Sequence, residues 1–339
     1  MNSVTAVPKP MIDRLYHLPY IARHYHYYLR LNTHILSRGV PLDELLVLKY
    51  PFQMRDAARP PLLSVDITDD CDLKCVYCNN PLFPDRRSMM SDECFDALVA
   101  NLQSSSFNRI RIGGGEPTLH PKIDLMMKRL SGCTKYLSIV TNGQWRDHRM
   151  EERLLSCGLN LIEISVDGGG AKVYEASRKN ASYKLLLENL RGLRRLRDQK
   201  RSKTLIKIRL MLRPSTQYLE KQETLFLQHY ADIVMPQWLL KHPESDYAED
   251  VFIQESVVEN RIPRCTVLFR DLQVRPDGMI PLCPAKGCSI KPQDRIFIGD
   301  LRHDSLVDLW NCPQMREMRD AHRYRRVEKL ALCQNCHYG

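Results

Sequence analysis

Short apolar, β-branched runs alternate along this chain with longer stretches in which apolar residues recur every three or four positions. Leu62–Thr68, Arg109–Ile112, Tyr136–Val140, Leu161–Ile164 and the stretches 204–212 and 232–236 read as six strands. Helical periodicity fills the intervals at 91–104, 121–131, 148–157, 183–197 and 217–229. Alternation of this kind predicts an α/β domain over residues 61–240, its strands parallel and joined by right-handed crossovers. Ahead of it, Tyr20, His24, Tyr27, Tyr28, Leu31 and Ile35 recur at helical spacing and predict a helical extension over residues 1–60, with His24 in an aromatic packing face and His26 solvated. Behind it, residues 241–339 form a further unit, in which two β runs between Leu272 and Ile280, joined at Pro276-Asp277-Gly278, predict a hairpin.

Composition narrows the class. No run approaches the ~20 apolar residues of a membrane span, and the opening stretch lacks the charged-then-apolar pattern of a signal peptide. A cytoplasmic protein without a membrane partner is expected. In a chain of 339 residues, 12 cysteines argue for metal ligands and reduced thiols rather than a disulfide scaffold. The formal charge of +10 is concentrated in Arg191, Arg194, Arg195, Arg197, Lys200, Arg201 and Lys203. That run reads as a solvated face or as a docking patch for an acidic protein. Aromatic stacking platforms are not interleaved with it, so nucleic acid is not expected as a partner.

The chemistry centres on Cys71-Asp-Leu-Lys-Cys75-Val-Tyr-Cys78, directly after the first strand. Three thiolates on one loop have no fourth ligand nearby, whereas a structural zinc site wants four. On a cubane cluster they leave one iron open, and an open iron can chelate an amine and a carboxylate. The second strand runs into Gly113-Gly114-Gly115-Glu116-Pro117, where glycines allow close backbone approach and Glu116 offers a carboxylate to a cationic amine. Two further strands end in Thr141-Asn142-Gly143 and Ser165-Val166-Asp167-Gly168, placing short polar side chains at the carboxyl ends of parallel strands, where ligands of α/β sheets sit. Taken singly, the cysteines are also half of a zinc site and the glycine-containing elements ordinary turns. In this order and at these strand ends they converge on one ligand site.

Together these elements strongly resemble the radical SAM superfamily. The resemblance implies an open six-fold partial (β/α) barrel and a 4Fe–4S cluster on Cys71, Cys75 and Cys78 that binds S-adenosylmethionine. It further implies that Gly114, Gly115 and Glu116 receive the amino group of SAM, that Asn142 and Ser165 meet its ribose and carboxylate, that Arg178 pairs with that carboxylate, and that Tyr77 packs beside the adenine.

The tail holds a second cysteine pattern. Cys265 precedes the expected hairpin, Cys283 follows it, and Cys333-Gln-Asn-Cys336 lies near the end of the sequence. These four can supply thiolates to one cluster; a zinc ribbon is the competing reading. With Ile298-Gly-Asp-Leu and Ser305-Leu-Val-Asp-Leu-Trp310, the tail resembles the SPASM/twitch extensions of radical SAM enzymes, in the shorter version with one auxiliary 4Fe–4S cluster on Cys265, Cys283, Cys333 and Cys336. Cys288 and Cys312 remain as spectator thiols, with replacement ligand or hydrogen donor as their other readings. Cys94, Cys133 and Cys157 read as small apolar core residues.

The resemblance implies reductive cleavage of SAM to a 5′-deoxyadenosyl radical, which takes hydrogen from a substrate carbon, with flavodoxin or ferredoxin as electron donor. An auxiliary cluster held by four thiolates has no open site and suits electron transfer. That favours a two-electron oxidation of a small polar substrate, such as alcohol to ketone on a sugar or cyclitol. The competing functions are a maturase that crosslinks or epimerises a ribosomal peptide, a redox-neutral sugar epimerase, and a zinc-binding interaction protein without catalysis.

Overall fold

Within most strands of the sheet, aliphatic side chains alternate with polar ones, and this alternation sets the architecture. The computed structural model describes residues 57–80, 87–239, 249–251, 265–284 and 295–333, apart from the side chain of Lys329. The expected N-terminal helix with His24 and His26 lies outside these residues, as do Cys288 and Cys336. In chain order the strands are β1 (Leu62–Thr68), β2 (Lys74–Cys75), β3 (Phe107–Gly114), β4 (Thr134–Thr141), β5 (Leu161–Asp167), β6 (Arg178–Lys179), β7 (Leu205–Leu212), β8 (Ile233–Trp238), β9 (Asp271–Val274), β10 (Met279–Pro281) and β11 (Phe297–Asp300). The helices are α1 (Asp92–Ser104), α2 (Ile123–Ser131), α3 (Met150–Ser156), α4 (Gly170–Ser177), α5 (Tyr183–Gln199), α6 (Glu220–Leu227), α7 (Leu306–Trp310) and α8 (Pro313–Arg323).

Seven strands form one open sheet in the order β8-β7-β5-β4-β3-β1-β9, with every neighbouring pair parallel. Leu63, Val65, Ile67, Ile110, Ile112, Ile139, Ile162, Ile164, Ile206 and Ile208 project from one face into the core shared with the helices. The alternate residues Ser64, Asp66, Arg111, Ser138, Glu163, Ser165, Lys207 and Arg209 occupy the opposite face, as strand geometry requires. Helix starts follow their caps: Ser91 accepts from the Cys94 amide and Ser182 from the Leu185 amide.

The structure departs from expectation in four places. The sheet has a seventh strand, β9, taken from the tail. The hairpin expected between Leu272 and Ile280 keeps its turn, where the Gly278 amide donates to the Arg275 carbonyl at 3.0 Å and the Arg275 amide to the Met279 carbonyl at 3.1 Å. Its arms part: β9 pairs with β1, and β10 pairs antiparallel with β11. Leu272 and Val274 join the core while Asp271 and Gln273 reach polar partners on β1, so pairing there satisfies both faces of the strand. A short helix, α4, grows directly out of the Gly168-Gly169-Gly170 run, Gly169 taking the left-handed conformation at its cap with φ +106°. The helix expected at 217–229 divides into a 3-10 turn, Gln217–Leu219, and α6.

Candidate active site

The cysteine loop leaves the carboxyl end of β1 and is fastened on several sides by backbone. The Gly115 amide donates to the Thr68 carbonyl and the Glu116 amide to the Asp70 carbonyl, both at 2.7 Å. A Cβ on Gly114 would lie 2.2 Å from the Thr68 oxygen, and one on Gly115 2.0 Å from the Asp70 oxygen. The two glycines thus clear room for the loop itself, a constraint that their spacing alone does not reveal. On the other side Cys75 pairs antiparallel with Arg178 in the β2–β6 ribbon, and the Val76 amide donates to the Ser177 carbonyl at 2.9 Å.

Glu116 ties the strand ends together. Its carboxylate is buried, with Oε1 accepting from the Thr118 amide (3.1 Å), the Thr118 hydroxyl (2.6 Å) and the Thr141 hydroxyl (2.7 Å), and Oε2 accepting from the Asn142 amide (2.7 Å). Burial pushes its carboxyl upward, and the hydrogen bonds from Thr118, Asn142 and Thr141 oppose that shift. The Asn142 side chain donates to Asp72 Oδ1 at 2.8 Å, so the Thr-Asn-Gly turn reaches into the cysteine loop.

Asp167 organises the other flank and was not singled out by sequence reasoning. Its buried carboxylate accepts from the Tyr77 hydroxyl (2.8 Å), the Ser177 hydroxyl (2.6 Å) and Arg178 Nε (2.7 Å), with Arg213 at 3.5 Å. The Arg178 guanidinium lies 5.9 Å from the centre of the Tyr77 ring and 5.8 Å from that of Tyr174. A buried pair of this kind, satisfied by neutral donors, is costly to break because the surviving charge stays buried. Cys71, Cys75, Cys78, Tyr77, Gly114, Gly115, Glu116, Asn142 and Arg178 therefore share one connected region. Ser165 stands two residues before Asp167 on the same strand face and is half-buried; its register partner on β7 is Arg209.

Burial pushes the Cys71 thiol up to about 12 and the Cys75 thiol up to about 11. Uncharged thiols are poor nucleophiles, but a coordinating metal inverts this and deprotonates them outright. Among the described residues, no group of three or more His, Cys, Asp or Glu side chains is gathered at one metal-binding point. The donor chemistry nevertheless fits a cluster with one open iron: three free thiols on one loop, all without disulfide partners. In the tail, Cys265 and Cys333 are buried, Cys283 is half-buried, and Cys336 lies outside the described residues. His322, absent from the sequence reading, stands between two of them: its Nδ1 accepts from the Cys265 amide at 3.2 Å and its Nε2 is 3.3 Å from Cys333 Sγ. Burial holds its imidazole down at about 4. Cys312 caps α8 and packs against the core; Cys94 and Cys157 are core residues and Cys133 borders them.

Strand alternation also places a charged row that sequence reasoning passed over. Glu163 pairs with Lys207 at 2.8 Å and with Arg209, while Arg111 Nη2 bonds Asp271 at 2.9 Å and Ser64 at 2.7 Å. Burial alone would raise the Glu163 carboxyl, but the Arg209 and Lys207 charges outweigh it and hold it at about 2. The signal was present as period-two alternation in LIEISVD and LIKIRLML. The basic run on α5 is partly structural: Arg197 is buried against Asp232 at 2.5 Å, and Arg194 donates to the Gln228 and Ala231 carbonyls.

Among the described residues, no helix is long and apolar enough to cross a membrane. Residues 65–213 match the Radical SAM superfamily, and residues 265–337 match an iron–sulfur cluster-binding domain of the SPASM type. The GTP 3′,8-cyclase of Limosilactobacillus fermentum is 30% identical over 132 residues, which is 37% of this chain and 39% of that protein. The probable GTP 3′,8-cyclase of Pyrococcus horikoshii is 27% identical over 133 residues, 39% of this chain and 42% of that protein. The match thus spans about two fifths of these relatives. Streptococcus suis SuiB bound to S-adenosylmethionine superposes with a TM-score of 0.57 at 14% identity, covering 91% of this chain and 83% of SuiB. BtrN in complex with AdoMet and 2-DOIA gives 0.54 at 16%, covering 83% and 94%. These likenesses establish the shared fold. The two domains imply S-adenosylmethionine with its 4Fe–4S cluster, and an auxiliary iron–sulfur cluster. With the fold, both matched regions and the cysteine loop in agreement, the chain belongs to the radical SAM enzymes that carry a C-terminal SPASM domain.

Proposed function

We propose that the chain oxidises a small polar substrate by two electrons, through a radical SAM domain in residues 61–240 and an auxiliary cluster in residues 241–339. Cys71, Cys75 and Cys78 hold the first cluster. Gly114, Gly115, Glu116, Asn142, Ser165, Arg178 and Tyr77 form the SAM contacts. Cys265, Cys283, Cys333 and Cys336 hold a four-iron auxiliary cluster. When bound, the reduced first cluster and SAM supply a carbon radical able to take hydrogen from an unactivated C–H bond. The chain's residues hold the loop rigid through Asp167 and Glu116, so the reacting atoms meet in a fixed geometry.

The observation that carries the substrate class is the row of Arg111, Glu163, Lys207, Arg209 and Asp271 on the sheet face opposite the helices. Glu163, Lys207 and Asp271 are buried within these ion pairs, while Arg111 and Arg209, about a third exposed, offer charge-assisted hydrogen bonds to hydroxyl groups and little to an apolar ligand. Binding of 2-DOIA by BtrN is consistent with this class. The GTP named for the cyclases is a second polar candidate, although their similarity is confined to about two fifths of each protein. An acidic flavodoxin or ferredoxin is the proposed electron donor, suited to the formal charge of +10.

The test offers reconstituted enzyme a panel of carbon-deuterated sugars and cyclitols alongside short peptides. Deuterium should enter 5′-deoxyadenosine from a carbinol carbon, with a ketone as product. Changing Cys333 and Cys336 together to Ala should preserve that transfer while ketone formation collapses. Transfer from a peptide alone, or ketone at the wild-type rate in the double variant, would contradict the proposal.

A further inference from the structure

Two of the tail cysteines, Cys265 and Cys333, meet one helix face. α8 buries Met315, Met318, Arg319 and His322, positions three and four apart on one side of a helix. Arg319 fixes the helix: Nε donates to the Leu268 carbonyl at 2.9 Å, Nη2 to the Trp310 carbonyl at 2.8 Å, and the guanidinium lies 3.8 Å over the Trp310 ring. Just beyond it, His322 is 1% exposed and bridges the Cys265 backbone to the Cys333 sulfur.

The two contacts decide the tautomer. A backbone N–H can only donate, so the Nδ1 that receives the Cys265 amide is unprotonated. A neutral imidazole with a bare Nδ1 carries its proton on Nε2. That proton faces Cys333 Sγ, and 3.3 Å suits an N–H···S hydrogen bond. The same proton keeps His322 out of the ligand set. A histidine ligating through Nε2 needs a lone pair there and a proton on Nδ1, which would then confront the Cys265 amide donor to donor.

We propose that His322 is a positioning residue of the auxiliary cluster, donating a hydrogen bond to the Cys333 thiolate and raising the cluster's reduction potential. This rests on the auxiliary-cluster reading given under Proposed function. Hydrogen bonds to ligating sulfurs stabilise the more negative, reduced cluster, and are one of the levers by which a protein sets iron–sulfur potentials.

The test uses the full chain with Cys71, Cys75 and Cys78 changed to Ala, folded by circular dichroism and reconstituted anaerobically, so that only the tail cluster remains. Redox titrations followed by visible absorption and electron paramagnetic resonance compare His322 with His322→Phe and His322→Gln. The Phe variant should lower the reduced-to-oxidised ratio at a fixed potential about tenfold, equivalent to about 59 mV for a one-electron couple. The Gln variant keeps an N–H donor at the reach of Nε2 and should recover most of that shift. Equal potentials in all three proteins would overturn the proposal, as would a Phe shift that Gln leaves uncorrected. If the Phe variant assembles no cluster, a Gln variant with a cluster near the parent potential supports the donor role, and one without a cluster overturns it. Strong coupling to a nitrogen in histidine labelled with the heavy isotope would mark direct ligation and overturn it too. A folded parent that takes up no iron would overturn the auxiliary-cluster reading itself, and is recognised before any His322 variant is compared.

Discussion

The cysteine loop at 71–78 and the tail cysteines are held by different kinds of bond. Around the loop, backbone amides of Gly115, Glu116 and Val76 and the side chains of Asn142 and Tyr77 fasten residues that a short motif already places side by side. In the tail, Cys265 and Cys333 are distant in sequence and are linked through α8, where His322 bridges the two and Arg319 holds the helix to the Leu268 carbonyl. Cysteine placement in the first region therefore starts from a local motif that backbone and side-chain bonds then fasten, whereas in the second it depends on side-chain packing between distant segments. Substitutions at the loop should be felt mainly in chemistry, and those in the tail in potential and assembly.

The largest expected effect tests the first half of that contrast. Changing Cys71, Cys75 and Cys78 together to Ala should lower bound iron from about eight to about four per chain, the content of one four-iron cluster. It should also abolish 5′-deoxyadenosine release, measured chromatographically under dithionite, while the fold survives. Persisting 5′-deoxyadenosine would move the radical chemistry away from this loop.

The difference between the regions also explains what was legible in the sequence. All six strands of the predicted sheet were readable: Ile110, Ile112, Ile162, Ile164, Ile206 and Ile208 mark three of them by falling at period two and burying on one face, and the others stand out as short apolar runs. The loop and its Gly-Gly-Glu and Thr-Asn-Gly partners were readable because each lies within a few residues of a strand end. Asp167 was visible only as part of a turn, since its partners Tyr77, Ser177, Arg178 and Arg213 are contributed by separate segments. β9 was misassigned because local turn chemistry at Pro276-Asp277-Gly278 predicts a hairpin, while the free edge that β1 offers it is a tertiary fact. His322 carried no motif; its helical spacing from Met315, Met318 and Arg319 predicted burial, and only the fold set it against Cys265 and Cys333.

A smaller effect sharpens the contrast within the loop region. In Glu116→Gln the amide nitrogen replaces one oxygen, so a donor now faces either the Asn142 amide or the Thr141 and Thr118 donors. Loss of a charge-assisted partner costs roughly 1.5–3 kcal/mol. SAM affinity, measured by calorimetry on the reconstituted enzyme, should fall at least several-fold. Thr141→Val removes one donor and leaves the carboxylate, so its affinity should fall less. Equal affinity in Glu116→Gln and wild type would remove Glu116 from the SAM site.

The smallest effect concerns the seam where the tail strand β9 meets β1, the strand that launches the cysteine loop. Asp66 is buried there and accepts from Gln273 at 2.6 Å. Burial, reinforced by the Asp69 charge, raises its carboxyl from 3.8 to about 7. The folded state therefore holds this proton more tightly than the unfolded chain does. The resulting stabilisation is fully present below about pH 4, declines as pH rises, and is gone above about pH 7. The difference amounts to roughly 4 kcal/mol at most, a tenfold change in proton affinity being worth about 1.4 kcal/mol. Asp66→Asn has no charge to bury and can still accept from Gln273 through its amide oxygen. Relative to wild type, the variant should gain stability from pH 5 to pH 8, by urea unfolding of anaerobic protein at both values. A parallel pH profile in the two proteins would show that the seam tolerates the ionised carboxylate, and would assign the tail's attachment to Arg111 and Asp271 instead.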